Sequence, residues 1–245
     1  MGRVEAFALE GIPEIRPGDD LAAIIEVAGG PFDPDEVLAV AHKAVSKAEG
    51  KVVALDSIEP GAEALAIAAE QGRDPRHVQV ILDQSSEVIR AENGILVCRT
   101  HHGFVCANAG VDASNSGDDG MLVCLPEDPD ASARRLRAAL TGQPAVVLTD
   151  SFGRAWRVGQ ADVAIGAAGV APLEDWRGRP DSRGRTLEAT WIAIADEVAA
   201  AADLARRKDA AQPVVLVRGL GRYVTDYDGP GAAALLRAAE EDLFL

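Results

Sequence analysis

Two stretches organise this chain: AVVLTDSFGR at residues 145–154 and THHGFVCANAGVDASN at residues 100–115. Each carries a small residue, a carboxylate and a neutral oxygen donor directly after an apolar segment. A strand that ends in this way presents oxygen ligands to a hard cation or a phosphate. Because open sheets bind ligands at the carboxyl ends of their strands, Asp150 and Ser151 are the stronger candidates. The alternative for Asp150 is a helix cap or turn former.

Asp112 and Asn115 are three residues apart in a glycine-flanked loop, so both can turn an oxygen toward one point. Mg²⁺ and Mn²⁺ need only one or two protein carboxylates and complete their shells with phosphate oxygens and water. The alternative is an Asx turn, in which Asp112 bonds its own loop backbone. Spacing alone leaves both interpretations open.

The 245 residues contain 24 Lys and Arg against 39 Asp and Glu, a formal net charge of -15. Such a field repels polyphosphate backbones, and no basic patch offsets it, so we expect no nucleic-acid partner. No window reaches the length of a membrane helix, and the N-terminus lacks the apolar core of a signal peptide. We therefore expect a cytoplasmic protein whose Cys98, Cys106 and Cys124 are buried free thiols.

Hydrophobic periodicity predicts hairpins mixed with alternating strands and helices, which favours an α+β fold rather than a regular doubly wound sheet. We expect one unit over residues 1–245, with two subdomains as an option. The predicted elements are strands at 4–9, 37–41, 87–90, 94–99, 121–125, 145–148, 161–170 and 213–217, and helices from 19 to 29, 63 to 70, 74 to 82, 129 to 140, 189 to 208 and 230 to 241. Gly166 and Gly169 predict close packing against the strand that contains them.

Neither the P-loop, the nucleophile elbow, the HExxH zinc motif nor a dinucleotide-binding glycine motif is present. After the apolar run at residues 37–41, the polar segment 42–50 fits either a phosphate-approaching turn or a solvated helix with two lysines; spacing favours the solvated helix. His101 and His102 would point to opposite faces of a strand, so we expect one in the core and one exposed.

Several runs together resemble the coenzyme F-420 gamma-glutamyl ligase family. They are AVSKAEG at 44–50, HGFVCANAGVD at 102–112 followed by Ser114 and Asn115, DSFGR at 150–154 followed by Trp156 and Arg157, VAIG at 163–166 and RGL at 218–220. They occur in the family's order and cover residues 4 to 225. The resemblance implies an intertwined homodimer with a gamma-glutamyl-ligase-like α+β fold, in a stand-alone form without a flavin-reductase-like domain.

The resemblance also implies a site. The family's metal ligands fall on Asp112, Asp150 and Ser151, which would hold Mg²⁺ or Mn²⁺, two ions in all, with K⁺ as a further activator. Its GTP contacts fall on Lys47, Asn115 and the loop Ile12-Pro13-Glu14-Ile15. Asp112, Asp150 and Lys47 are then the catalytic residues, and the implied partners are GTP, L-glutamate and a deazaflavin cofactor precursor.

This chain departs from the family pattern at two positions. His42 stands where the family has Ser or Thr, so a hydroxyl contact to the nucleotide is lost or replaced by imidazole. Ala205-Arg206-Arg207-Lys208 replaces a Met-Gly-Lys or Met-Gly-Gln segment. Lys208 keeps a nucleotide-contacting position, but a protonated amine cannot ligate a metal.

We therefore expect a GTP-dependent ligase that joins the lactyl carboxylate of the precursor to L-glutamate through an acyl phosphate, with further γ-linked glutamates as an extension. The general base is not assigned by the sequence, and His101 or His102 is a guess. Two alternatives are a non-catalytic homologue that binds deazaflavin or nucleotide, motivated by His42 and Arg206-Arg207, and a metal-dependent phosphohydrolase.

Overall fold

A computed structural model of the chain describes residues 2–113 and 120–242. Within this part there are twelve strands and six α-helices. The strands are β1 Glu5–Ala8, β2 Val37–Ala41, β3 Val52–Ala54, β4 Ser85–Glu92, β5 Ile95–Thr100, β6 Val105–Ala107, β7 Met121–Val123, β8 Ala145–Arg154, β9 Arg157–Ala168, β10 Glu174–Asp175, β11 Trp191–Ile192 and β12 Val214–Arg218. The helices are α1 Leu21–Gly29, α2 His42–Ala48, α3 Ala62–Gln71, α4 Pro75–Asp83, α5 Pro129–Ala139 and α6 Ile194–Ala205.

The main sheet has five strands in the order β1-β12-β2-β8-β9. Only β2 and β8 run parallel, with Ala41 opposite Thr149, and the other neighbours are antiparallel. The first four residues of β2 and the first five of β8 are all buried, because helices cover both faces of the sheet. Their near-continuous apolar runs follow from this double burial.

Alternate residues of these strands enter two hydrophobic clusters. Leu38 and Leu148 pack with Ile25 of α1 and Leu136 of α5 on one face. On the other face, a second set of sheet residues packs with α6; these are Val37, Ala39, Val147, Val215 and Val217, against Ile194 and Val198. The main sheet is therefore the middle of three layers.

A second structured part lies beside the main sheet. It contains the β3–β7 pair, the three-stranded sheet β4-β5-β6, and helices α3 and α4 around a third hydrophobic cluster. Asp112 belongs to this part, since its backbone forms an isolated antiparallel bridge with Val123 of β7. The mixed sheets and six helices agree with the predicted α+β class, whereas the homodimer and the single-unit boundary stay predictions.

Local start signals in the sequence place three of the helices. The carboxylates of Asp20, Asp74 and Asp128 accept the backbone N–H groups of Ala23, Arg76 and Ala131 at the first turns of α1, α4 and α5. The predicted hairpin is also present, with Asn93-Gly94 turning β4 into β5. The strands β3 and β6, three residues each, were not predicted because they are too short to show a period.

Two predicted helices differ from the structure: one is wrong at both ends, and the other is not an α-helix at all. The helix expected over 189–208 is α6 alone, because Trp191–Ile192 pairs with β10 and Arg206 is extended. The helix expected over 230–241 consists of two short 3₁₀ turns, Ala232–Leu235 and Ala239–Glu241, with Leu236 extended between them. The Asp130 carboxylate, which accepts the N–H groups of Ala232 and Ala233, fixes the first turn.

Close packing at Gly166 and Gly169 is confirmed. A Cβ at Gly166 would lie 2.5 Å from the Pro129 carbonyl oxygen, and one at Gly169, where φ is +73°, would meet the Arg137 side chain. All three cysteines are free and buried, as predicted. In the described ranges, no helix combines the length and the apolarity that crossing a membrane demands.

Candidate active site

The site lies where two parallel strands of the main sheet end side by side. β2 passes into α2 at Ala41, whose pairing with Thr149 puts His42 next to Asp150. Here the chain forms a cleft of about 610 Å³. Its walls are the loop Pro13–Ile15, the first turns of α2, Asp112, the ends of β8 and β9, and the segment that follows α6.

Asp150 is nearly buried at the floor of the cleft. Its Oδ1 lies 3.3 Å from His42 Nε2 and also accepts the Ser151 backbone N–H at 2.7 Å. Burial raises the pKa of Asp150, but His42, the Ser151 N–H and Lys43 lower this pKa by more, so its net pKa is below the ordinary value. Asp150 is therefore a carboxylate at neutral pH and can bind a cation.

Asp112 enters the cleft from the second structured part. Its Oδ2 lies 2.5 Å from Lys43 Nζ. Consecutive residues of α2 thus contact the two carboxylates, His42 at Asp150 and Lys43 at Asp112. The structure thus brings together the two predicted acidic residues, Asp112 and Asp150. It adds Lys43, to which the sequence pattern gave no role.

Lys47 lies one turn after Lys43 and is only 7% exposed. Its ammonium contacts the Glu14 carboxylate in the loop that forms the adjacent wall. Pro13 and Ile15 also line the cleft, whereas Ile12 packs into the core behind them. The solvated-helix interpretation of residues 42–50 is wrong, because α2 directs both lysines into the cleft and its other face into the core.

Asp162 of β9, which the sequence analysis missed, is 1% exposed and organises the opposite side of the cleft. It lies across from Ser151 in the β8–β9 pairing. Ser151 Oγ donates to Asp162 Oδ1 at 2.6 Å, and Thr149 Oγ1 donates to Oδ2 at 2.9 Å. A carboxylate so deeply buried requires a counter-charge, and the guanidinium of Arg206 supplies it.

Arg206 and Lys208 reach the cleft because the chain leaves α6 at Arg206. Arg206 is also bonded to Thr149 Oγ1 at 2.8 Å, and Lys208 Nζ donates to Ser151 Oγ at 2.8 Å. Ser151 Oγ therefore gives its proton to Asp162 and accepts from Lys208, which leaves one acceptor position on this hydroxyl.

The described residues leave His101 and His102 outside this group. Ser114 and Asn115 lie outside the described residues. His101 and His102 form a turn after β5, where their Nε2 atoms bond the backbone carbonyls of Asp83 and Pro126. Neither ring lines the cleft, so the guess that one of them is the general base has no support in the geometry. The predicted strand position for the pair is also wrong.

The cleft fits a divalent cation only together with a ligand of its own. No three His, Cys, Asp or Glu side chains in the described ranges converge closely enough to form a complete metal shell. Asp150, Asp112 and the remaining acceptor of Ser151 suit a hard cation that takes its other ligands from phosphate and water. The basic side chains Lys43, Lys47, Arg206 and Lys208 suit the same phosphates.

A second hollow, of about 450 Å³, lies where α3 meets the β4–β5 turn. Glu70 and Glu92 are the charged residues of its described lining. This lining offers a phosphate no cation, so the cleft beside Asp150 is the better candidate.

A family model of the F-420-0:gamma-glutamyl ligases matches residues 11–219. The chain belongs to this family. It is 43% identical over 250 residues to the coenzyme F-420:L-glutamate ligase of Methanothermobacter thermautotrophicus, with 98% of each chain covered. Identity to the similarly named proteins of Methanopyrus kandleri and Haloarcula marismortui is 42% and 41%, over 100% and 98% of this chain.

Membership of the F-420-0:gamma-glutamyl ligase family confirms the resemblance seen in the sequence and makes the chain an enzyme of the ligase class. Every candidate residue, from Ile12 to Lys208, lies within the matched region. Two cleft residues that were missed had detectable signals. Lys43 is four residues before Lys47, on the same helix face, and Asp162 is a lone carboxylate at the start of an apolar strand.

Proposed function

We propose that this ligase forms the amide bond between the lactyl carboxylate of the deazaflavin coenzyme F-420 precursor and the amine of L-glutamate, using GTP. The observation that supports this most strongly is full-length similarity, at 43% identity, to a protein named coenzyme F-420:L-glutamate ligase. The cleft supports it independently, because five basic side chains gather there beside five carboxylates, in a chain whose net charge is -15. The basic residues are Lys43, Lys47, Arg206, Arg207 and Lys208.

The chemistry requires activation of the carboxylate. In the first step, a carboxylate oxygen of the precursor attacks the γ-phosphorus of GTP, the bond from this phosphorus to the β–γ bridging oxygen breaks, and GDP leaves. In the second, the glutamate amine attacks the acyl carbon, the bond to the phosphate oxygen breaks, and inorganic phosphate leaves while the amine loses a proton. Addition of further γ-linked glutamates would repeat both steps on the new carboxylate.

Each side chain of the cleft has a role in this scheme. Asp112, Asp150 and Ser151 hold the divalent cations, Mg²⁺ or Mn²⁺, two of them in our proposal, with K⁺ as an activator. When bound, such cations neutralise phosphate charge and favour attack at the γ-phosphorus. Lys47 contacts the transferred phosphoryl group as a point charge, and Lys43 is released to it when Asp112 turns to a cation.

In this proposal the nucleotide binds along the wall formed by Pro13, Glu14 and Ile15, with Lys208 near its phosphates and His42 beneath them at the floor of the cleft. The side chain of Ile12 supports this wall from the core, so a contact of Ile12 with GTP would be made by its backbone. Asn115 is proposed to contact the nucleotide, as in the sequence analysis. Trp156 and Val158, which are 81% and 96% exposed at the tip of the β8–β9 hairpin, offer apolar surface for the second chain of a cytoplasmic homodimer.

The test is incubation of the purified protein with precursor, GTP, Mn²⁺ and L-glutamate, followed by mass spectrometry. We expect the precursor to gain one glutamyl unit and GDP to form in equal amount, and we expect neither when Asp150 is replaced by Asn. No mass gain, under conditions where a known ligase succeeds, contradicts the proposal. Phosphate release that does not depend on glutamate would indicate a phosphohydrolase, and cofactor binding without GTP turnover a non-catalytic binder.

A further inference from the structure

His42 occupies an unusual position for a histidine, at the first residue of α2 and at the floor of the cleft. It is 2% exposed, so water does not satisfy its ring nitrogens. Its Nδ1 faces Ser46 Oγ at 3.4 Å, one turn along the helix. This contact fixes the ring so that Nε2 is on the side of Asp150.

His42 Nε2 makes no hydrogen bond of good geometry within residues 2–113 and 120–242, and its polar neighbour is the Asp150 carboxylate. A buried polar atom without a partner costs free energy, and such atoms in native proteins are usually occupied by a ligand, an ion or ordered water. Asp150 Oδ1, at 3.3 Å, is close enough for His42 to lower the pKa of Asp150, but the contact is long and leaves Nε2 open to a better partner.

The separation of these two atoms matches that of neighbouring ligands on one metal ion. In an octahedral shell with metal–ligand distances of about 2.1 Å, adjacent ligands are about 3 Å apart. Nε2 and Oδ1, at 3.3 Å, can therefore both contact one cation after a shift of a few tenths of an ångström. Asp150 supplies the negative charge that such a cation requires.

We propose that His42 Nε2 is a direct ligand, beside Asp150, of the divalent cation in this cleft, and that it makes the site prefer Mn²⁺ to Mg²⁺. This rests on the metal-dependent function proposed above. Mg²⁺ is held almost entirely by oxygen, whereas imidazole nitrogen suits transition metals.

The direct test is pulsed electron paramagnetic resonance of Mn²⁺ bound to the protein with GDP. We expect modulation from a coordinated ¹⁴N nucleus, which changes to the ¹⁵N pattern when the protein is made with ¹⁵N-histidine. This measurement uses the unaltered protein and is independent of catalysis. Bound Mn²⁺ without histidine coupling overturns the inference and leaves the ligase proposal standing. Histidine coupling without glutamyl product supports the inference while the ligase proposal fails.

Two variants show which histidine ring gives the nitrogen coupling. His42→Gln removes the nitrogen ligand, so the coupling should vanish. His77→Gln is the matched control, because His77 Nε2 is also buried without a hydrogen-bond partner but lies outside the cleft lining. The coupling should persist in His77→Gln, and its loss there alone would overturn the assignment to His42.

Calorimetry with GDP present separates ligation from mere orientation of Asp150. If His42 is a ligand, His42→Gln should weaken Mn²⁺ binding at least about tenfold and Mg²⁺ binding much less. If the ring only orients the carboxylate, the two affinities should fall by the same factor, which would overturn the inference. Absence of Mn²⁺ binding to the unaltered protein with GDP would overturn it as well.

Discussion

Ser151 Oγ donates its proton to Asp162 Oδ1 at 2.6 Å, across the β8–β9 pairing. Asp162 thus orients a side chain that we propose as a metal ligand. The same carboxylate also contacts Arg206, so one buried side chain positions both a hydroxyl and a guanidinium of the cleft.

Asp162→Asn should therefore impair activity, although Asp162 is not proposed to contact a substrate. Loss of the charge leaves Arg206 uncompensated and removes a strong acceptor from Ser151, so we expect kcat/KM to fall about 10–100-fold. The free energy of unfolding should fall by about 3 kcal/mol, because one partner of a buried ion pair is removed. Steady-state kinetics and urea denaturation measure the two effects.

The matched control for this variant is Asp196→Asn. Asp196 of α6 accepts the Ala164 backbone N–H at 2.9 Å, two residues along the same strand, but does not line the cleft. Asp196→Asn should keep both stability and Mn²⁺ affinity, because burial raises the pKa of Asp196, so its charge is not what stabilises this contact, and an amide oxygen can accept the same N–H. If both variants lost Mn²⁺ affinity equally, Asp162 would be only a structural residue. Asp162→Asn combined with Arg206→Gln should regain stability and not activity.

Asp150→Asn should abolish turnover and leave the fold intact. The amide keeps the shape and accepts the Ser151 N–H, but it lacks the charge that a divalent cation requires. Circular dichroism should be unchanged while GDP formation falls to background at limiting Mn²⁺. Normal turnover under these conditions would contradict the metal assignment.

The three thiols should resist modification in the native protein. Burial raises the pKa of Cys106 to about 12 and that of Cys124 to about 11, and it also raises the pKa of Cys98. At pH 8, about one Cys106 in ten thousand is then a reactive thiolate. We expect no fast reaction with a disulfide reagent, and complete reaction after unfolding in urea. Rapid labelling of a native thiol would contradict the buried assignment.

These thiols also predict a loss of stability in alkali. Their native pKa values exceed the unfolded value of 9.0, so their contribution is complete below pH 9 and is lost as the pH rises toward 11 or 12. At pH 10, each of Cys106 and Cys124 should favour unfolding by about 1 kcal/mol. The double variant Cys106→Ala, Cys124→Ala should show a shallower decline of Tm between pH 8 and pH 10, whatever its Tm at pH 8.

Gly166→Ala should destabilise the main sheet against α5. Its new Cβ would lie 2.5 Å from the Pro129 carbonyl oxygen, so β9 or the start of α5 must shift, at a cost of about 1–3 kcal/mol. Gly153→Ala on β8 is the control, because no atom of the described residues lies within 4 Å of a Cβ there. Equal unfolding midpoints for the two variants would contradict the close contact.

The sequence predicted most of the strands, because these depend on local patterns, whereas the metal roles of Asp112, Asp150 and Ser151 stay predictions. Long apolar runs are typical of strands covered on both faces, and they occur at Val37–Ala41 and Ala145–Leu148. Asp150 is recognisable because it comes just after the second of these runs. The end of α6 could not be predicted in this way. Arg206 leaves the helix because the Asp162 carboxylate, 44 positions earlier in the chain, binds it. Helix propensity depends on local sequence and does not include such a contact.

The roles of Lys43 and Asp162 were missed for a related reason. A lysine at the start of a helix usually faces water, and its contact with Asp112 depends on how the second structured part packs beside the main sheet. The helix predicted over 230–241 is wrong because the carboxylate of Asp130, far away in sequence, accepts the N–H groups of Ala232 and Ala233. In each case a polar contact between distant residues outweighed the local pattern.

The two carboxylates of the cleft come from different structured parts, and α2 is the only element in the described residues whose consecutive side chains contact both. The site therefore exists only after these parts have docked. A chain in which the five-stranded sheet has formed but the second part has not would hold Asp150 and Ser151 correctly and still lack Asp112. The affinity for the proposed cation would thus be a readout of tertiary assembly, and slow docking would appear as a delay between recovery of secondary structure and recovery of metal binding during refolding.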